Sequence, residues 1–139
     1  MATDFADRTA LITGAGRGIG RAVAAGLGGA GARVVLLART EEQLDETRDL
    51  LVRQGVSPRQ VRVIPADLGD EEQRARAAAA VLAAGRVDIL VNNAAATVEP
   101  LGPTIGIAAV DLRLAFEVNV VAAAALTAAV PRGSPWLSR

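Results

Sequence analysis

The residues best suited to chemistry are Thr13-Gly14-Ala15-Gly16-Arg17-Gly18-Ile19-Gly20. They follow the apolar run Ala10-Leu11-Ile12 and open a segment of helical pattern. A strand, a glycine turn and a helix start together form a cradle for phosphate. The first glycine permits the tight turn, the next lets backbone N–H groups approach a pyrophosphate, and the last lets the helix pack against the strand. The spacing is G-x-x-x-G-x-G, through Gly14, Gly18 and Gly20. It is not G-x-G-x-x-G, because the sixth position counted from Gly14 is Ile19. By itself such a cluster also fits a plain turn with a helix start.

Absent residue types narrow the chemistry further. There is no Cys, which excludes disulfides, thiolate nucleophiles and zinc-thiolate sites, and no His to serve as base or metal ligand, so no metal site is expected. Every basic residue is Arg, and Tyr is absent as well. The 15 basic and 15 acidic residues cancel, there is no basic block, and aromatics are few, so nucleic-acid binding has no footprint. With 51% apolar residues in 139, the chain is expected to build one domain with a core rather than stay disordered. No apolar stretch is expected to reach the roughly 18 residues of a membrane span. Met1-Ala2-Thr3-Asp4-Phe5 lacks the basic start and apolar run of a signal peptide. A soluble, cytoplasmic protein is the expectation.

The elements that position the turn alternate. Arg8 to Thr13 reads as a buried strand and Ile19 to about Ala30 as a helix capped by Gly31. Arg33 to Ala38 is a near-continuous apolar run, as in strands buried on both faces. Thr40 places a capping hydroxyl ahead of Glu41 and Glu42, starting a helix that Gly55 ends. Val61 to Ala66 is a third strand, with Pro65 near its end. Asp67 and Asp70 lead into a helix from Glu71 to about Ala84, closed by Gly85. Val87 to Val91 is a fourth strand, followed by Asn92-Asn93-Ala94-Ala95. A loop with Pro100, Gly102, Pro103 and Gly106 precedes a helical pattern from about Ala108 to Val130. The order β-α-β-α-β-α-β-α implies an α/β fold with a parallel sheet. Residues 131–139, with two prolines, read as an irregular tail beyond a domain of residues 1–130.

Taken together, these marks resemble the N-terminal part of a short-chain dehydrogenase/reductase, over about residues 6 to 130. They are the turn at 13–20, Asp67-Leu68 after the third strand, Asn92-Asn93-Ala94-Ala95 after the fourth, and Asn119 in Glu117-Val118-Asn119-Val120. Ala95 departs from the family, which usually has Gly there. The resemblance implies a Rossmann-type parallel sheet, helices on both faces, strand order 3-2-1-4, cut short after the fourth strand. It also assigns roles. Gly14, Ala15, Gly16, Arg17 and Ile19, within the turn that Gly18 and Gly20 complete, would line the pyrophosphate and adenosine ribose. Asp67 and Leu68 would meet the adenine, and Asn93 and Ala94 the ribose. Asn92 is expected to be structural, tying adjacent strands.

Enzymes that use NAD place an acid at the end of the second strand to bind the ribose 2′-hydroxyl. Ala38 and Arg39 stand there instead. A guanidinium can clamp a 2′-phosphate with paired hydrogen bonds, and Arg17 is placed to meet the same group, which favours NADP over NAD. The implied reaction is hydride transfer between NADP(H) and a small carbonyl or alcohol substrate, in a homo-oligomer when full length. Of the family's catalytic Asn, Ser, Tyr and Lys, only the Asn has a match, Asn119; the others are expected after residue 139. The chain is therefore expected to be inactive alone. The alternatives are a non-catalytic NADP-binding module, or a truncated or frameshifted fragment without function.

Overall fold

The computed structural model describes residues 4–97 and 106–130. The expected loop residues Pro100, Gly102 and Pro103 and the tail 131–139 lie outside the described residues. Four parallel strands form one sheet in the order β3-β2-β1-β4. They are β1 (Thr9–Thr13), β2 (Arg33–Ala38), β3 (Val61–Pro65) and β4 (Ile89–Val91). The register pairs Leu11 with Val35 on one side and with Leu90 on the other. Pro65 closes the edge strand β3, where the missing N–H costs no ladder bond on the open side.

The helices are α1 (Gly18–Gly29), α2 (Glu41–Arg53), α3 (Glu71–Ala83) and a last helix over Ala109–Ala129. Each central strand buries both faces, which is why its sequence is continuously apolar rather than alternating. Ala10, Ile12, Val34 and Leu36 face α1 and α2, in a cluster with Ala24, Leu44 and Leu51. Leu11, Val35 and Leu37 face the other way, against Ala77 and Val81 of α3 and Ala122 and Leu126 of the last helix.

Several expectations are adjusted. The first helix starts at Gly18 rather than Ile19 and the fourth strand at Ile89 rather than Val87. Thr40 occupies the N-cap position of α2, but its side chain makes no capping hydrogen bond. The last helix is not uniform either: α4 (Ala109–Phe116) passes through a π-helical turn, Glu117–Ala122, into α5 (Ala123–Ala129). This 21-residue helix is also long and apolar enough to cross a membrane by length and composition, contrary to the expectation that no segment would be. Its Ala122 and Leu126 are nevertheless fully packed against the sheet, and its Asn119 and Thr127 bond to the segment after β4.

Candidate cofactor-binding site

Strand order reverses between β1 and β4, since β2 lies on one side of β1 and β4 on the other. In open α/β sheets the crevice beyond the carboxyl ends of the strands at such a point is where ligands bind. A cleft of about 180 Å³ lies there. That is below the ~300 Å³ of a pocket enclosing a whole drug-sized ligand, so the cleft suits one part of an elongated one. Every strand end contributes: Gly14 and Gly16 after β1, Ala38, Arg39 and Thr40 at β2, Ala66, Asp67 and Leu68 after β3, and Ala94 to Ala96 after β4.

The turn after β1 is built on two close approaches. Gly14 has φ +64°, a left-handed conformation suited to glycine. Gly20 is buried, and a Cβ there would run into the Gly14 carbonyl and lie 2.6 Å from Asn93 Nδ2. Only a hydrogen at that position lets α1 sit against the turn. Of the residues assigned to the turn, Gly14, Gly16 and Arg17 line the cleft. Ala15 does not; it is fully buried beneath the turn, with its N–H bonded to the Leu37 carbonyl at 3.2 Å. Gly18 begins α1, and Ile19 is 75% exposed and stands outside the cleft.

Arg17 and Arg39 come from different elements, yet both line this cleft and both are exposed. Neither forms an ion pair among the described residues. The acids Glu41 and Glu42 open α2 but do not line the cleft. Thr40 and Gln43, which sequence reasoning did not assign to the site, do. The signal for Thr40 was hidden by its position: a threonine before two glutamates reads as a helix cap, and the cap bond is not made.

After β3, Asp67 Oδ1 accepts the Gly69 N–H at 2.8 Å, and the Asp67 N–H donates to Gln73 Oε1. Capping of α3 falls to Asp70, whose side chain accepts the Gln73 N–H at 2.8 Å. That bond, first among the causes, holds the Asp70 carboxyl below the usual carboxylate range. Asp67 is thus not the helix cap, and it lines the cleft. Leu68 is buried, and its carbonyl accepts from Arg74 Nη1 at 2.8 Å. Arg74, only 6% exposed, also pairs with Glu117 at 2.9 Å, so the loop carrying Asp67 and Leu68 is fastened to the π-helical turn.

After β4 the roles of the two asparagines differ from expectation. Asn92 donates to Thr127 Oγ1 in α5 at 3.0 Å, tying a helix rather than adjacent strands. Asn93 supplies the strand tie. Its Nδ2 lies 3.1 Å from the Thr13 carbonyl and 3.3 Å from that of Gly14, while the N–H groups of Asn93 and Ala94 both donate to Thr13 Oγ1. Asn93 is therefore a strut under the turn, and Ala94 is the residue that lines the cleft. Asn119 lies in the π-helical turn and is outside the cleft, although its neighbour Val118 lines it. Both polar ends of the Asn119 amide are bonded to Ala96: Oδ1 accepts its N–H and Nδ2 donates to its carbonyl, each at 2.8 Å.

A profile of the short chain dehydrogenase family matches residues 8–133, and the chain belongs to this family. It is 41% identical to L-xylulose reductase of Homo sapiens over 131 residues, which are 93% of this chain and 48% of that protein. D-erythrulose reductase of Gallus gallus is 44% identical over 117 residues, 83% of this chain and 42% of that protein. Among solved structures, a metagenomic short-chain oxidoreductase in complex with NADP superimposes with a TM-score of 0.82 at 36% identity, over 90% of this chain and 55% of that one. The chain spans about half the length of the curated relatives it matches.

Proposed function

We propose that these residues form the cofactor-binding half of an NADP(H)-dependent oxidoreductase that interconverts a small carbonyl compound and its alcohol. The observation that carries this reading is the meeting of Arg17 and Arg39 in one cleft with Asp67 and the glycine turn. The donor set fits the phosphorylated adenosine end of the cofactor. The backbone N–H groups of the turn and the N-terminus of α1 suit the pyrophosphate. Two guanidiniums, with the Thr40 hydroxyl lining the same cleft and making no capping bond, suit a ribose 2′-phosphate. A carboxylate at Asp67 suits an exocyclic amino group. The NADP in the similar metagenomic enzyme agrees with that assignment.

When bound, the cofactor supplies the hydride. What the chain's own residues contribute is binding and orientation, with Asn119 holding the loop after β4 through Ala96. A Tyr or Lys acid–base group has no counterpart among these 139 residues. Loss of a positioned proton donor typically costs about 10²–10⁴ in rate, so these residues alone are expected to bind NADPH without turning over a carbonyl substrate.

Titrating the purified chain with NADPH and NADH by cofactor fluorescence tests the reading. Arg39→Asp is expected to weaken NADPH at least ~10-fold more than NADH, because it replaces a phosphate clamp by a repelling charge. Equal losses for both cofactors, or no NADPH binding by the parent chain, would sink it.

A further inference from the structure

A trans peptide points its carbonyl and its N–H in opposite directions. For the N–H groups of Gly16 and Arg17 to face an anion in the cleft, the carbonyls of Ala15 and Gly16 must point into the protein. They do, and two side chains outside the cleft hold them there. Thr47 of α2, fully buried, places Oγ1 3.0 Å from the Ala15 carbonyl and 3.3 Å from that of Gly16. Arg21 of α1 donates through Nη2 to the Gly16 carbonyl and through Nε to Thr47 Oγ1 at 3.0 Å. Glu46 pairs with the same guanidinium at 3.1 Å and fixes its orientation.

The hydroxyl proton of Thr47 has a competing acceptor, the Gln43 carbonyl at 3.0 Å. That carbonyl lies four residues back and already takes the helical N–H of Thr47. Ala15 is fully buried and its carbonyl has no other partner among the described residues. With Arg21 filling a lone pair on Oγ1, the proton is best used on Ala15. An unmet buried carbonyl would instead favour rotation of the peptide.

We infer that Arg21 and Thr47 are positioning residues of the dinucleotide turn. They fix the Ala15–Gly16 and Gly16–Arg17 peptides so that their N–H groups face the phosphates before any ligand arrives. This deepens the NADP(H) reading and rests on it for the identity of the ligand, but the ligand-free geometry stands apart from it.

The test uses the full chain as Thr47→Val, which keeps the shape and removes the hydroxyl, Thr47→Ser, which restores the hydroxyl, and Arg21→Met. In the absence of ligand, NMR order parameters of the Gly16 and Arg17 N–H vectors should fall from about 0.85 to below about 0.6 in Thr47→Val and Arg21→Met, and recover in Thr47→Ser. Affinity for NADPH should drop about tenfold in the first two variants, as one positioning bond is lost. Affinity for adenosine 2′-monophosphate, which lacks the pyrophosphate, should hold within about twofold, a split that general loosening of α1 against α2 would not produce. Order parameters unchanged in Thr47→Val, or equal losses for NADPH and adenosine 2′-monophosphate, would overturn the inference. Arg21 is partly exposed, so Arg21→Met carries the same readouts if Thr47→Val does not fold. A parent chain that binds no NADPH would refute the cofactor reading while the ligand-free measurement still decides the role of the pair.

Discussion

At the scale of single residues, two glycines of α1 make opposite cases. A Cβ on Gly20 has no room, because the Gly14 carbonyl and the Asn93 amide already fill it. A Cβ on Gly26 would meet nothing within 4 Å, so this glycine sits in the helix only as a weak helix former. Gly20→Ala is therefore expected to destabilise by about 1–3 kcal/mol through overpacking, and to displace the turn. Gly26→Ala is expected to stabilise by roughly 0.5–1 kcal/mol through backbone entropy. Urea unfolding of both variants checks the pair, and a Gly20→Ala protein as stable as the parent would show that the turn does not need the close approach. The glycine spacing was legible in the sequence because steric need leaves a mark in residue type. The partners of the turn were not. Thr47 and Arg21 look like an ordinary helix-interior threonine and a surface arginine, and only the meeting of α1 and α2 reveals what they bind.

At the scale of elements, the sequence showed the alternation of strands and helices, because strands buried on both faces read as apolar runs and the turns between carry Gly, Pro and Asp. It did not show the π-helical turn at Glu117–Ala122. No residue type encodes that turn. It coincides with tertiary anchors, Glu117 on Arg74 and Asn119 on Ala96, and single-turn π segments often mark functional places. Arg74 joins three parts: α3, the Leu68 carbonyl and Glu117. Arg74→Met would leave a buried carbonyl and a carboxylate without their partner. Breaking a fully buried pair costs about 3–5 kcal/mol; the Glu117 side chain is 34% exposed, and the solvent screening that this permits lowers the expectation to about 1–3 kcal/mol. NADPH affinity should fall too, because the loop bearing Asp67 loses its anchor. Urea unfolding and the same cofactor titration measure both. Adding Glu117→Leu should recover part of the stability, and a Met variant with unchanged stability would show that the clasp carries no net energy.

At the scale of the whole molecule, the cleft and one acid-sensitive contact, that of Asp88, lie at opposite ends of the sheet. Asp88 precedes β4 and meets the start of β1. Its Oδ2 accepts the Thr9 N–H at 3.0 Å, its own N–H donates to the Thr9 carbonyl at 2.8 Å, and Arg8 and Arg86 flank Oδ1 at 3.3 and 2.8 Å. The Thr9 N–H bond, aided by the two arginines, holds the Asp88 carboxyl below the usual carboxylate range. In the unfolded chain the group returns to about 3.9. Between that value and the lower folded one, the unfolded state binds the proton first, so acid favours unfolding. The contribution of Asp88 is therefore full above about pH 4 and is lost as pH falls through the folded value. Asp88→Asn keeps an acceptor for Thr9 but removes the charge, so its stability should decline less steeply than the parent's below about pH 4. Urea unfolding from pH 2 to pH 7 reads that slope. At neutral pH the same variant should bind NADPH within about twofold of the parent, because a strand of five residues, about 17 Å, separates it from the cleft. An acid limb as steep as the parent's would place the titration elsewhere, and a large loss of NADPH affinity would mean that the two ends of the sheet are coupled.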